Sequence, residues 1–289
     1  MLSIHLGAHK TASTHLQNSL REVQDSLNGG GVFYADPSVL RETIPLAQAL
    51  AQGSDCQAHQ DCVRQFAAAR DHYERLFISE ENILGGTHRT NMFSRRGVLY
   101  PDAAPRVRQV IEMAGGESAT LYLSVRDPAH FCVSAFALQM SLGNELELRP
   151  YLRGRDPAQI RWSGLVKRLA RVEGVKRLVI WRYEDYRAVR ERLLGLLLPD
   201  GLAGIVPDLE PKNVSVTQEG YEWFLARAMA DTSADLRHLL RQARRRFTRE
   251  DGHGPLRLLD DEVYRRSAEF YAQEIAAIKA RRNVEFLEP

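Results

Sequence analysis

Five short apolar segments, near residues 2–7, 32–35, 75–80, 119–125 and 177–183, are separated by stretches long enough to hold helices. Such alternation predicts an α/β domain of three layers, α/β/α, with a central parallel sheet covered by helices on both faces. After Tyr186 the strand signals largely vanish. Leu236, Leu239, Leu240, Ala243 and Phe247 share one helical face, and Val263 to Lys279 is also amphipathic, so a helical C-terminal part is expected near 216–289. The spacer from Asp36 to Arg75 has room for two helices and is expected to form a cap near 36–74. A chain of 289 residues can bury one large core, and no repeat or low-complexity linker divides it, so residues 1–289 read as a single domain.

The first segment continues into a turn and a helix start. Leu2, Ile4 and Leu6 form the apolar strand, Gly7 permits the turn, and Thr11 to Thr14 place small and hydroxylated residues ahead of Leu16 and Leu20. A helix entrance carries unpaired N–H groups and the positive end of the helix dipole, which favours an anion there. Lys10 adds a full charge, and Ser13 and Thr14 add hydroxyl donors. The loop is P-loop-like without being a Walker loop. That loop needs G-x-x-x-x-G-K-[ST], whereas Gly7 stands three residues before Lys10 and no glycine precedes the lysine directly.

A second strand runs into a helix at Thr120 to Val125, with Arg126 at its end, Asp127 and Pro128 as a helix start, and Ser134 eight residues after the arginine. Open α/β sheets bind ligands at the carboxyl ends of their strands, so Arg126 and Lys10 are expected on one edge. Arginine's planar fork donates two parallel hydrogen bonds to a phosphate. Two more strands end in acids. Leu76 to Ser79 leads into Glu80, Glu81 and Asn82; Leu178 to Arg182 leads into Tyr183, Glu184 and Asp185, whose acids are expected to cap the following helix. Glu81, Glu80, His9 and His88 are the residues available as a general base.

These stretches resemble sulfotransferases that use 3′-phosphoadenosine 5′-phosphosulfate (PAPS), in particular a bacterial form reading roughly H-x-G-x-x-K-T-[AG]-[ST]-T. His5, Gly7, Lys10, Thr11, Ala12, Ser13 and Thr14 fit that pattern, and the resemblance extends over roughly residues 2–215. It implies that Lys10, Thr11, Ala12, Ser13 and Thr14 hold the 5′-phosphosulfate with His9 beside them, and that Arg126 and Ser134 grip the 3′-phosphate. His15 stands where eukaryotic relatives carry a tryptophan that stacks on adenine. Lys10 takes the leaving-group role. Glu81 occupies the glutamate of an S-x-E-N pattern common in bacterial relatives and is the first choice as base; Asn213-Val214-Ser215 is similar to a later family segment. The glycine-containing basic motif that closes over the 3′-phosphate in eukaryotic cytosolic members is absent, which leaves Lys212 and the late arginines as candidates. The implied reaction moves a sulfuryl group from PAPS to a hydroxyl or amine of an unidentified acceptor, a small molecule, lipid or carbohydrate, without a metal. Two other classes share the sheet. A kinase-like phosphotransferase would want a Walker lysine and a Mg²⁺ carboxylate; a non-catalytic nucleotide-binding module would bind the same nucleotide and transfer nothing.

Composition narrows the setting. Lys plus Arg is 39 against 37 for Asp plus Glu, a net charge of +2, which offers no global argument for nucleic-acid or membrane binding. The longest apolar run, Leu193 to Leu198, stops at Pro199, so no signal peptide or membrane span is expected. Three cysteines, an odd set with no paired framework, favour the reducing cytoplasm. Cys56, His59 and Cys62 lack the second knuckle of a structural zinc site. Arg237, Arg241, Arg245 and Arg249 recur every four residues, with Arg244 and Arg246 beside them. This stripe reads as a solvated face or as a wall of the binding cleft.

Overall fold

The computed structural model describes residues 1–289 apart from 117, 145–146, 211–214 and 232. Lys212, Asn213 and Val214 therefore lie outside the described residues. The first half runs β1 (Leu2–His5), α1 (Ser13–Arg21), α2 (Gln24–Gly29), β2 (Val32–Ala35), α3 (Val39–Glu42), α4 (Leu46–Gln52), α5 (Gln57–His72), β3 (Arg75–Ser79), α6 (Arg89–Met92), α7 (Ala103–Met113), β4 (Ala119–Val125) and α8 (Pro128–Ser141). The second half runs α9 (Leu148–Leu152), α10 (Trp162–Leu169), β5 (Val175–Arg182), α11 (Tyr186–Leu197), α12 (Gln218–Ala230), α13 (Leu236–Arg246), α14 (Asp261–Lys279) and β6 (Val284–Leu287).

Six strands form one parallel sheet in the order β2-β3-β1-β4-β5-β6. Side chains alternate between its faces, so the sheet feeds two cores, although β1 turns Ser3 and His5 to the second. Leu76, Ile78, Leu121, Leu123, Leu178 and Ile180 pack with Phe66 of α5, Val107 of α7, Phe131 of α8 and Leu165 of α10. Phe77, Tyr122, Val179 and Trp181 face the other way, onto Leu16 and Leu20 of α1 and Val189 and Leu193 of α11. The chain is thus the three-layer α/β/α fold that the alternation of apolar segments predicts.

Two differences from the sequence reading have physical causes. A sixth strand exists after Tyr186: four residues, Val284–Leu287, pair with β5, a run too short to give a periodic signal. The segment after Asp36 holds three helices, and α5 packs on β3 and α7 as part of the sheet's outer layer. Its buried Cys62, Phe66 and Ala69 lie one helical turn apart. α4 meets the turn at Glu81–Ile83 instead. Among the described residues no helix is long and apolar enough to cross a membrane.

The topology also sets where a ligand can enter. β1 leads toward β2 through α1, while its neighbour β4 leads toward β5 through α8, and the two helices pack on opposite faces. Connections that diverge from adjacent strands leave a crevice at the strands' carboxyl ends. Lys10 and Arg126 stand on its two sides.

Candidate anion-binding site

The loop from Gly7 to Ala12 is built tightly. Gly7 has φ +41, and a Cβ there would lie 2.1 Å from Ser13 Oγ and 3.0 Å from His5 Nε2, so only glycine lets the loop fold over its own helix. Lys10 and Ala12 also adopt left-handed backbone, φ 66 and 68, which costs on the order of 1–3 kcal/mol for each non-glycine residue and persists only where the surroundings enforce it. Thr11 Oγ1 donates to Ala8 O at 2.5 Å, and the His9 amide donates to the Tyr100 hydroxyl at 3.2 Å. α1 opens with Ala12 at its N-cap and no side-chain cap. Ser13 Oγ is buried without a hydrogen-bond partner, and Thr14 is exposed in the first turn.

Arg126 closes the crevice from β4. Its Nη1 donates to Lys10 O at 2.7 Å, and its guanidinium lies 4.4 Å from the Tyr183 ring centroid. Trp162 Nε1 donates to Arg126 O at 2.7 Å, fixing the strand end. Arg126 Nε and Ser134 Oγ are both buried without partners. Buried donors left unpaired are rare and mark places where an acceptor belongs. Lys10 is mostly buried, and desolvation, followed by the charges of Arg244 and Arg126, pushes its pKa down to about 8 against a smaller opposing pull from Glu81. Arg244 comes from α13, held by Nη2 donating to Ser141 Oγ at 2.7 Å. Its guanidinium is itself depressed by burial, with Nε unpaired. Of the basic stripe, Arg244 is the member turned inward, because it follows the buried Ala243 on the helix.

The acids are sorted by their neighbours. Glu81 accepts from Gln17 Nε2 at 3.1 Å; the same amide reaches Ser79 Oγ at 3.2 Å, which lies 2.8 Å from His5 Nδ1. Glu80 accepts from the Asn82 amide, from Asn82 Nδ2 at 2.7 Å and from Arg41 at 3.3 Å. Burial raises its pKa. Asn82 Oδ1 then faces His9 Nε2 at 3.3 Å, and His9 Nδ1 faces the Tyr100 hydroxyl at 2.9 Å. An amide oxygen only accepts, so His9 donates through Nε2 and accepts from Tyr100. Burial lowers the His9 pKa to about 4, keeping it neutral.

Four of the groups marked in the sequence have their polar atoms engaged by neighbours, and of these the expected acidic cap of α11 is corrected. His9 does not offer a free ring nitrogen to a phosphosulfate; it braces the loop against Asn82 and Tyr100. His15 does not present itself for stacking, since Nδ1 meets the Tyr186 hydroxyl at 3.0 Å, Nε2 meets Leu209 O at 2.6 Å, and the ring stands edge-on to Tyr186. His88 is exposed and occupied as the N-cap of α6. Glu184 and Asp185 leave α11 without a side-chain cap: Glu184 accepts from the Asp127 amide at 2.9 Å and from the Tyr271 hydroxyl at 3.2 Å, while Asp185 pairs with Arg182.

Beside Arg126 a cleft of about 560 Å³ opens between the ends of β4 and β5 and helix α14, lined by Tyr183, His130, Tyr271, Ile275 and Lys279 among others. The sequence marks α14 as amphipathic but not as a cleft wall. Its Tyr271, Ile275 and Lys279, each four residues apart, are the available signal. No protein-family model matches the chain, and no curated protein matches it. Fold and site together describe an α/β/α protein whose strand ends gather three part-buried cations, Lys10, Arg126 and Arg244, on one crevice.

Proposed function

We propose that this protein is a PAPS-dependent sulfotransferase of bacterial type, moving a sulfuryl group from PAPS to a hydroxyl or amine of an acceptor. One observation carries the reading: the left-handed Lys10 loop and Arg126 meet across the β1–β4 crevice, with Ser13 Oγ, Ser134 Oγ and Arg126 Nε buried and unpaired. These groups fit a nucleotide with phosphate at both ends. Lys10 to Thr14 would hold the 5′-phosphosulfate, and Arg126 with Ser134 the 3′-phosphate. PAPS supplies an activated sulfur–oxygen bond. Lys10 provides positive charge for the phosphate oxygen that departs as its bond to sulfur breaks, and Glu81 takes the proton that the acceptor loses as its new bond from oxygen or nitrogen to that sulfur forms. The products are the sulfated acceptor and adenosine 3′,5′-bisphosphate. Cys56, Cys62 and Cys132 are free, in keeping with a cytoplasmic setting.

Calorimetric titration tests the donor. Arg126→Ala is expected to weaken adenosine 3′,5′-bisphosphate by roughly 10- to 100-fold, the loss of one charge-assisted bond worth about 1.5–3 kcal/mol, and to leave AMP within a few fold. Equal losses for both nucleotides would remove Arg126 from the 3′-phosphate. ATP binding tighter than PAPS would instead favour a kinase-like enzyme. Binding of PAPS with no labelled product, after incubation of radiolabelled PAPS with a lysate of the source cell, would favour a non-catalytic module.

The depressed Lys10 gives a pH signature. Its ammonium is lost on rising through about pH 8 in the free protein, not near the ordinary 10.5, and an anion prefers the charged form. Affinity for the bisphosphate should therefore be flat below about pH 7.5 and fall above about pH 8, by a few fold and less than tenfold in all. Arg244→Gln should shift that fall to higher pH, because one of the charges that depress Lys10 is removed. A profile level to pH 9.5 in the unsubstituted protein would contradict the assignment.

A further inference from the structure

The stretch around α13 gathers six arginines with no acid among them. Among the described residues, ion pairs engage Arg21, Arg41, Arg64, Arg177, Arg257, Arg265 and others, but none uses an arginine between 237 and 249. That interval holds Arg237, Arg241, Arg244, Arg245, Arg246 and Arg249 without an aspartate or glutamate after Asp235 and before Glu250. Asp235 itself accepts from the Arg237 and His238 amides as the N-cap of α13.

Arg237, Arg241 and Arg244, four and then three residues apart, fall along one side of the helix, a row about 10 Å long at 1.5 Å per residue. Its inner end is Arg244, whose charge acts on Lys10. Its outer end is Arg237, which gives one donor to Leu142 O at 3.2 Å. Each guanidinium has five donors, so these single contacts leave most of the fork unused. Of the row only Arg244 acts on Lys10, so a nucleotide held by the Lys10 loop, Arg126 and Ser134 leaves Arg237 and Arg241 unused.

We propose that the acceptor is a negatively charged carbohydrate chain that reaches Lys10 along the row Arg237, Arg241 and Arg244. This rests on the sulfotransferase reading. A row of guanidinium forks matches carboxylates spaced along a polymer, each pairing through two parallel hydrogen bonds. Two other polyanions fit the surface less well. A helix lying on a membrane buries its apolar face in the lipid, whereas Leu240 and Ala243 are buried and α13 packs on α12 and α8. A single-stranded nucleic acid uses open aromatic faces for its bases. The Trp223 ring is instead covered by the guanidinia of Arg227 and Arg246, 5.5 and 5.9 Å from its centroid.

The full chain, with and without saturating adenosine 3′,5′-bisphosphate, would be titrated with polygalacturonate, neutral dextran, a single-stranded oligonucleotide and vesicles containing phosphatidylglycerol. Polygalacturonate should bind most tightly and dextran not measurably. Arg241→Glu should weaken polygalacturonate at least tenfold, Arg249→Glu, three residues beyond the end of the helix, by less than threefold, and neither should alter bisphosphate affinity. Equal losses in the two variants would mean diffuse charge and overturn the row; tighter binding of oligonucleotide or vesicles would overturn the carbohydrate. The bisphosphate titration of the unsubstituted protein is a separate readout, so failure of the donor reading shows there, independently of the polymer result.

Discussion

Lys10→Ala is expected to lower sulfuryl transfer by about 10²- to 10³-fold, the usual consequence of deleting one preorganised charge at a leaving oxygen, while bisphosphate affinity falls by less than tenfold. The asymmetry is the diagnostic part. A contact made equally in ground and transition states would appear in the Michaelis constant, and a contact that strengthens with developing charge appears in turnover. The substitution is clean with respect to the loop, since alanine bears the same left-handed backbone at φ 66 as lysine does, and the neighbouring Ala12 already tolerates it. The Arg126 to Lys10 hydrogen bond also survives, because it uses the residue 10 carbonyl. Single-turnover measurement with labelled PAPS would check the rate and calorimetry the affinity. Unchanged turnover with a raised Michaelis constant alone would reduce Lys10 to an anchor.

Glu81→Gln is expected to cut turnover at least a hundredfold with PAPS affinity within a few fold, in line with the 10²- to 10⁴-fold that a positioned base contributes. Glu81 is set apart from Glu80 by how little holds it. Gln17 is its one hydrogen-bonding side chain among the described residues, whereas Glu80 is engaged by Asn82 and Arg41 and is buried beneath them. Glu81 also sits close enough to Lys10 to oppose the depression of its pKa. Glutamine keeps the size and an acceptor oxygen for Gln17 but cannot take a proton. Near-normal turnover in this variant, together with collapse in Glu80→Gln, would move the base by one residue.

Much of this arrangement is written in short-range pattern. The five apolar segments fall on β1 to β5, because a buried strand needs apolar residues on at least one face along its length, and Gly7, Lys10 and Arg126 sit at or just past strand ends, where a turn must follow. Long-range partners are less legible. Nothing near His9 in the sequence names Tyr100, 91 residues away, and nothing near Glu184 names Tyr271. Both pairings bring a loop or helix residue far along the chain to a strand's carboxyl end, Tyr100 from the segment before α7 and Tyr271 from α14, and both redirect residues that local pattern assigns to phosphate binding or helix capping. Arg244 was visible as one of six arginines, but selecting it requires knowing that Ala243 faces inward and that α8 ends at Ser141.

The pairing of β6 with β5 bears on how the molecule matures. Leu287 is fully buried beside Trp181, its register partner, and Glu285 is gripped by Arg177 and Arg192, contacts about a hundred residues apart along the chain. During synthesis, β5 can dock on β4 long before residues 284–287 leave the ribosome. For that interval its outer edge is an unpaired ladder of amides and carbonyls of the kind that invites another chain. α14 is made just before β6 and packs on it, so β6 on arrival both seals that edge and fixes the helix that walls the cleft beside Arg126.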